Sequence, residues 1–320
     1  MRILLTGGAG FLGQRLARRL LVEYPDASTT LVLADCVATN AFVGEPRVQA
    51  VECDIADRAA LARLVTPDTA VVYHLAAIVS GQAEAEFDLG MRINLTATES
   101  LLELCRALPA PPKFIFASSC AVFGGAPGDV ITEQTAVSPR SSYGTQKAIG
   151  ELLVNDYSRK GFIDGRAVRL PTIAVRPGKP NRAASSFVSG IIREPLAGQP
   201  AACPVGRDVL VVISSPGTVV ENLVHAHRVP GSALGPNRTL ILPGLAVTIG
   251  EMIDTLARVA GPDVAARIRF ERDEAVERIV LTWPARLDAT RARSLGFQAD
   301  PDFESILRSY QREAGQGGVR

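Results

Sequence analysis

The chain has 320 residues, of which 47% are hydrophobic and 21% charged, a balance expected of a soluble globular protein rather than a disordered or fibrous one. Lysine and arginine total 34 against 33 acidic residues, and a net charge of +1 gives no electrostatic footprint for nucleic acid or an anionic membrane. Aromatic residues are only 5%, which also disfavours a stacking platform for single-stranded nucleic acid.

The five cysteines (Cys36, Cys53, Cys105, Cys120 and Cys203) are odd in number and contain no C-x-x-C pair. The three histidines, His74, His225 and His227, form no H-E-x-x-H array, so no metal is expected. Free thiols point to a reducing compartment. Met1–Leu5 is basic then apolar, but the apolar run stops at Thr6-Gly7-Gly8, too short for a secretory signal. No apolar stretch approaches the ~20 residues of a membrane span. The expectation is a cytoplasmic protein with no anchor.

Short apolar runs alternate with helical patterns through the first half. Strands are expected at Ile3–Thr6, Thr30–Ala34, Val48–Val51, Ala70–His74, Lys113–Ala117 and Ala167–Leu170. Helices are expected at Gly10–Glu23, Met91–Leu108 and Ser142–Lys160. This alternation predicts an α/β fold with a doubly wound, Rossmann-type parallel sheet covered on both faces. From Pro171 the prolines at 171, 177, 180, 195, 200 and 204 suggest loops and short elements. Further helices fit Ile249–Val259 and Asp302–Arg312, and the Gly-rich end, Ala314–Arg320, reads as frayed. The expected division is a nucleotide-binding domain at 1–170 and a smaller substrate-binding lobe at 171–320, with the chain crossing back to the sheet.

Gly7, Gly10 and Gly13 lie where the first strand gives way to the first helix. Glycines there allow a tight turn and let the backbone approach a pyrophosphate, which the helix N-terminus stabilises. Asp35 ends the second strand, 22 positions after Gly13. Its carboxylate suits ribose hydroxyls and repels a 2′-phosphate, so NAD is favoured over NADP. Asp54 is read either as an adenine contact or as a cap for the next helix. Leu75-Ala76-Ala77 supplies small residues after the fourth strand.

Tyr143 and Lys147 stand at i and i+4, on one helix face. A lysine ammonium beside a tyrosine favours the phenolate, which can take a proton from an alcohol while hydride leaves the adjoining carbon. The pair follows Phe116-Ala117-Ser118-Ser119, a strand end carrying hydroxyls.

Taken together, the glycine turn, Asp35, Leu75-Ala76-Ala77, the Ser118–Gly124 segment and Tyr143…Lys147 resemble the extended short-chain dehydrogenase/reductase family, which includes nucleotide-sugar epimerases and dehydratases. The resemblance implies NAD held by Gly7, Gly10, Phe11, Leu12, Gly13, Asp35, Asp54, Ile55, Leu75, Ala76, Ala77 and Asn94, together with Tyr143 and Lys147. It also implies Tyr143 as acid/base, Lys147 on the nicotinamide ribose, and Ser119, five residues before Gly124, orienting the substrate hydroxyl. Phe123 stands where the family often has tyrosine.

Arg169-Leu170-Pro171-Thr172-Ile173 lacks the asparagine with which nucleotide-sugar epimerases bind their substrate's diphosphate. The segments Val175–Phe187, Gly190–Leu196, Trp283–Arg286 and Ser294–Phe297 are instead similar to the D-erythronate dehydrogenase branch. Members of that branch oxidise the 2-hydroxyl of a four-carbon sugar acid to a 2-keto acid. The carboxylate of a small sugar-acid substrate needs a cationic or hydroxyl-rich clamp, for which Arg176, Lys179, Arg182, Ser185 and Ser186 are candidates; Arg176 and Ser186 are preferred. His74 and His225 are read as structural. The alternatives are a nucleotide-sugar 4-epimerase and a non-catalytic NAD-binding sensor. Family analogy suggests a homodimer through the helices near Met91–Leu108 and Ser142–Lys160.

Overall fold

The computed structural model describes residues 1–124, 130–178, 183–284 and 286–315. Lys179, Pro180 and Arg182, named above, lie outside the described residues, as do Asn181, Ala285 and the C-terminal stretch 316–320.

The central sheet is built from β1 (Arg2–Thr6), β2 (Thr30–Asp35), β3 (Val48–Glu52), β4 (Thr69–His74), β5 (Lys113–Ser119), β6 (Asp164–Leu170) and β7 (Thr239–Ile241). Their order across the sheet is β7-β6-β5-β4-β1-β2-β3. The pairs β1–β2, β1–β4, β2–β3 and β4–β5 are all parallel. Ile3, Leu4, Leu5, Leu31, Val32, Phe114 and Ile115 are fully buried, which explains why these strands read as unbroken apolar runs. β3 differs because it is the edge strand, and its residues are only partly covered or exposed. The chain runs outward from β1 to β3, then returns to place β4 on the other side of β1. This reversal is the switch point outside which ligands bind in open α/β sheets.

Two compact units result. The first comprises residues 1–119, 141–169 and 220–240; the second comprises 120–140, 170–219 and 241–320. In the first, Leu4, Val32, Val72, Leu101, Leu102, Phe114, Phe116 and Val154 form one apolar cluster. The second contains a three-stranded sheet of Leu245–Thr248, Leu210–Ser214 and Thr172–Ile173. Its core is filled from the helices Ser186–Leu196, Ile249–Ala260 and Phe303–Gly315 by Val188, Ile192, Met252, Leu256, Phe303 and Leu307. A capping box between Thr248 and Glu251 starts the Ile249–Ala260 helix, worth about 1 kcal/mol.

Several expectations need correction. The stretch beginning at Met91 is not one α-helix: Met91–Thr96 is a π-helix, followed by an α-helix over Ala97–Arg106. The proline-punctuated region is more ordered than its composition suggests. Pro195 lies in the last turn of the Ser186–Leu196 helix, where it ends the helix rather than breaking it. The helix expected around His225, at Glu221–Arg228, is present but longer, opening at Pro216. The C-terminal helix begins at Phe303, and Asp302 accepts the Ser305 N–H at 2.7 Å. Among the described residues no helix is long and apolar enough to cross a membrane.

His74, 1% exposed, ends β4 and links three elements. Its Nδ1 meets Thr6 Oγ1 at 2.7 Å and its Nε2 meets Thr98 Oγ1 at 2.9 Å. Thr98 gives its only hydroxyl proton to the Asn94 carbonyl, so Nε2 carries the ring hydrogen and Nδ1 accepts from Thr6. Burial, with Lys147 nearby, holds the imidazole neutral and its pKa down to about 3. His227 is held down to about 4, again chiefly by burial. Both folded values lie below the unfolded ~6.5, so the unfolded chain takes up protons first as the pH falls. Their stabilisation is complete above pH ~6.5 and is lost as the pH falls toward about 4 for His227 and about 3 for His74. Chemical denaturation is therefore expected to show about 2 kcal/mol less stability per histidine at pH 5 than at pH 7. His74→Gln should flatten that slope; a wild-type stability independent of pH over this range would contradict the assignment.

Candidate active site

The turn between β1 and the Phe11–Glu23 helix is fixed from within the first unit. Gly7 and Gly8 N–H groups both donate to the Ala34 carbonyl, at 2.8 and 3.1 Å. Gly7 has φ +73°, and a Cβ there would stand 2.8 Å from the Ala76 nitrogen. A Cβ at Gly13 would overlap the Gly7 carbonyl oxygen, so both positions need glycine for packing alone. Gly8 is constrained too, against Leu33, which the spacing of the other three did not reveal. Gly10 is different: its Cβ would meet only the Gly7 oxygen, at 3.2 Å. It starts the helix with no side-chain cap, and the first turn holds no acidic residue. The N–H groups of that first turn fit an anion, as a dinucleotide's pyrophosphate requires.

Asp35 closes the far side of this turn, its Oδ2 accepting the Ala9 N–H at 3.1 Å. Leu75 and Ala76 are tied to β1 by bonds to the Thr6 carbonyl and hydroxyl. Phe11, Leu12, Leu75, Ala76 and Ala77 are all half-buried. Asp54 is exposed and accepts the Ala56 N–H; the helix that follows is capped by Asp57, not by Asp54. The Ile55 side chain packs into the core of the first unit. Asn94, 1% exposed, is committed to protein partners: it exchanges two hydrogen bonds with the Ile78 backbone and donates to Gln146 Oε1 at 2.7 Å. It anchors the segment after Ala77 through the Ile78 backbone.

Ser141 caps the Ser142–Arg159 helix by accepting the Gly144 N–H, which sets Tyr143 in the first turn and Lys147 one turn on. The helix lies close on β5 because position 150 is glycine; a Cβ there would come within 2.7 Å of the Phe116 ring. At that distance Lys147 Nζ reaches the Ala117 carbonyl at 2.8 Å, sits 4.6 Å from the Phe116 ring centroid and 5.7 Å from that of Tyr143. The Tyr143 hydroxyl is hydrogen-bonded to Ser119. The structure thus brings Ser119, Tyr143 and Lys147 together at the end of β5.

The electrostatics correct one expectation. The spacing predicts that Lys147 lowers the tyrosine's pKa; instead burial pushes Tyr143 up to about 12, opposed by the hydrogen bond from Ser119. Burial also brings Lys147 down to about 7, against the pull of Glu151. Glu151 escaped the sequence reading, although its place four residues after Lys147 on the same face was a usable signal.

Arg176 and Ser186 belong to the second unit. The Arg176 backbone is fixed by Ser189 Oγ at 3.0 Å and by Arg193 Nη1 at 2.8 Å. Its half-buried guanidinium has no carboxylate partner among the described residues, and burial beside Arg193 lowers its pKa. Ser186 is the first residue of its helix.

The model of the NAD dependent epimerase/dehydratase family matches residues 3–226. The chain is 52% identical to D-erythronate dehydrogenase of Cupriavidus necator over 322 residues, covering 98% of this chain and 99% of that protein. It is 47% identical to D-erythronate dehydrogenase of Haemophilus influenzae over 310 residues, covering 97% and 98%. The fold matches the crystal structure of the nucleoside-diphosphate-sugar epimerase from Agrobacterium tumefaciens with a TM-score of 0.92 and 41% identity, covering 100% of this chain and 96% of that one. With its dinucleotide-type turn and the Ser119–Tyr143–Lys147 cluster, the chain belongs to the NAD dependent epimerase/dehydratase family.

Proposed function

We propose that this chain is an NAD-dependent dehydrogenase that oxidises the 2-hydroxyl of a small sugar acid, D-erythronate or a close relative, to the 2-keto acid. The observation that carries the reading is the Tyr143 hydroxyl bonded to Ser119, with Lys147 buried one turn along the helix. Near-full-length similarity to two D-erythronate dehydrogenases supports the substrate class.

In this reading the Gly7–Gly13 turn and the helix N-terminus hold the pyrophosphate, and Asp35 accepts the adenosine ribose hydroxyls. NAD, when bound, supplies the hydride acceptor. Ser119 orients the substrate hydroxyl and Tyr143 takes its proton as the general base. Lys147, held at Ala117, favours the phenolate and binds the nicotinamide ribose. Tyr143 also stands in the first turn of its helix, where the positive end of the dipole favours an anion. Arg176 is the candidate for the carboxylate, since a half-buried cation with no carboxylate partner among the described residues is stabilised by an incoming anion.

Purified protein with NAD and four- to six-carbon aldonic acids, with UDP-sugars in parallel, is expected to form net NADH with D-erythronate or a near relative. The Agrobacterium protein's name favours a nucleotide-sugar epimerase instead. UDP-sugar interconversion without NADH would establish that reading and overturn this one. Tyr143→Phe should lower kcat by about 10²–10⁴-fold while NAD still binds; near-wild-type turnover would refute the base. Arg176→Gln should raise KM for the sugar acid roughly 10- to 100-fold with NAD affinity unchanged, and an unaltered KM would remove it from the clamp.

We also infer a cytoplasmic homodimer. None of the five cysteines is in a disulfide, and Leu152, on the Ser142–Arg159 helix, is 65% exposed. Sedimentation should show a dimer that Leu152→Glu weakens; a monomeric wild type would contradict this.

A further inference from the structure

Tyr143, Lys147 and Glu151 follow one another at intervals of four along one face of the Ser142–Arg159 helix. The function above uses the first two. Each of the three is matched by a consecutive residue at the end of β5. Ser119 bonds Tyr143, the Ala117 carbonyl takes Lys147 at 2.8 Å, and the Ser118 hydroxyl donates to Glu151 Oε1 at 2.5 Å.

Glu151, 3% exposed, is also gripped from β6, where Arg169 Nε and Nη2 donate to its two oxygens at 2.9 and 2.6 Å. We propose that Glu151, clamped by Arg169 and Ser118, is a positioning residue that supplies the counter-charge for the buried Lys147 ammonium and locks the helix face in register with the end of β5. The inference rests on the reading of Tyr143 and Lys147 as the working pair.

The groups around Lys147 leave no other source for that charge among the described residues. Its own helix offers Tyr143 and Glu151, β5 the Phe116 ring and the Ala117 carbonyl, β4 the neutral His74, and β6 the cation Arg169. Glu84 and Glu103 are engaged at other points of the helix, with Ser142 and Tyr157. Glu151 is the charge that opposes the loss of the Lys147 proton caused by burial.

The chain has four lysines (Lys113, Lys147, Lys160 and Lys179), so side-chain NMR titration of ¹³C-lysine protein is tractable, with Lys147→Met giving the assignment. Glu151→Gln keeps the shape and removes the charge. It should lower the Lys147 pKa by roughly one unit and move the alkaline limb of the kcat–pH profile down equally. Glu151→Asp should restore most of both. Arg169→Gln, which unmasks the carboxylate, should shift Lys147 in the opposite direction and keeps the test open if Glu151→Gln does not fold. A folded Glu151→Gln protein whose Lys147 titrates as in the wild type would overturn the proposal. The NMR arm needs no turnover, so its outcome is separate from any failure of Tyr143→Phe to abolish activity.

Discussion

The buried ammonium of Lys147 is the interaction on which the rest of the site depends. A lysine out of water persists only where a carbonyl, an aromatic face or a counter-charge replaces its hydration, and Ala117, Phe116 and Glu151 fill those roles. That requirement fixes how close the helix must lie to β5, and Gly150 is where the sequence permits the approach. Once the helix is seated there, Tyr143 meets Ser119 at the strand end.

A second set of contacts, the turn after β1, is shaped by packing before any ligand is considered. Gly7 is fixed by its backbone conformation and by Ala76, Gly8 by Leu33 and Gly13 by the Gly7 carbonyl, leaving Gly10 as the position without a strong internal reason. The Thr6–His74–Thr98 chain connects this turn to the π-helix that carries Asn94, and Asn94 connects in turn to Gln146 beside Lys147. The two halves of the site in the first unit therefore share one buried polar network, in which the neutral imidazole of His74 is the middle member.

Much of this was legible in the residues. Parallel strands buried on both faces leave continuous apolar runs, so β1, β2, β4 and β5 could be placed within a residue or two. β7 could not, because Thr239–Ile241 is too short to show a period. Pro195 misled because a proline in a last helical turn has the same letter as one in a loop. In the site, Ser119, Tyr143 and Lys147 follow from local spacing and strand ends. The Glu151–Arg169 pair joins residues 18 apart through tertiary packing, and the upward shift of Tyr143 reflects burial, which no spacing encodes.

In a dehydrogenase of this kind hydrogen leaves C2 of the sugar acid for good rather than being returned to the same substrate. D-erythronate carrying deuterium at C2, incubated with the protein and NAD and analysed by mass spectrometry, tests it most directly. One deuterium in the reduced cofactor is expected for each 2-keto acid formed. Erythronate that keeps its deuterium, in a protein that interconverts UDP-sugars without accumulating NADH, would contradict it.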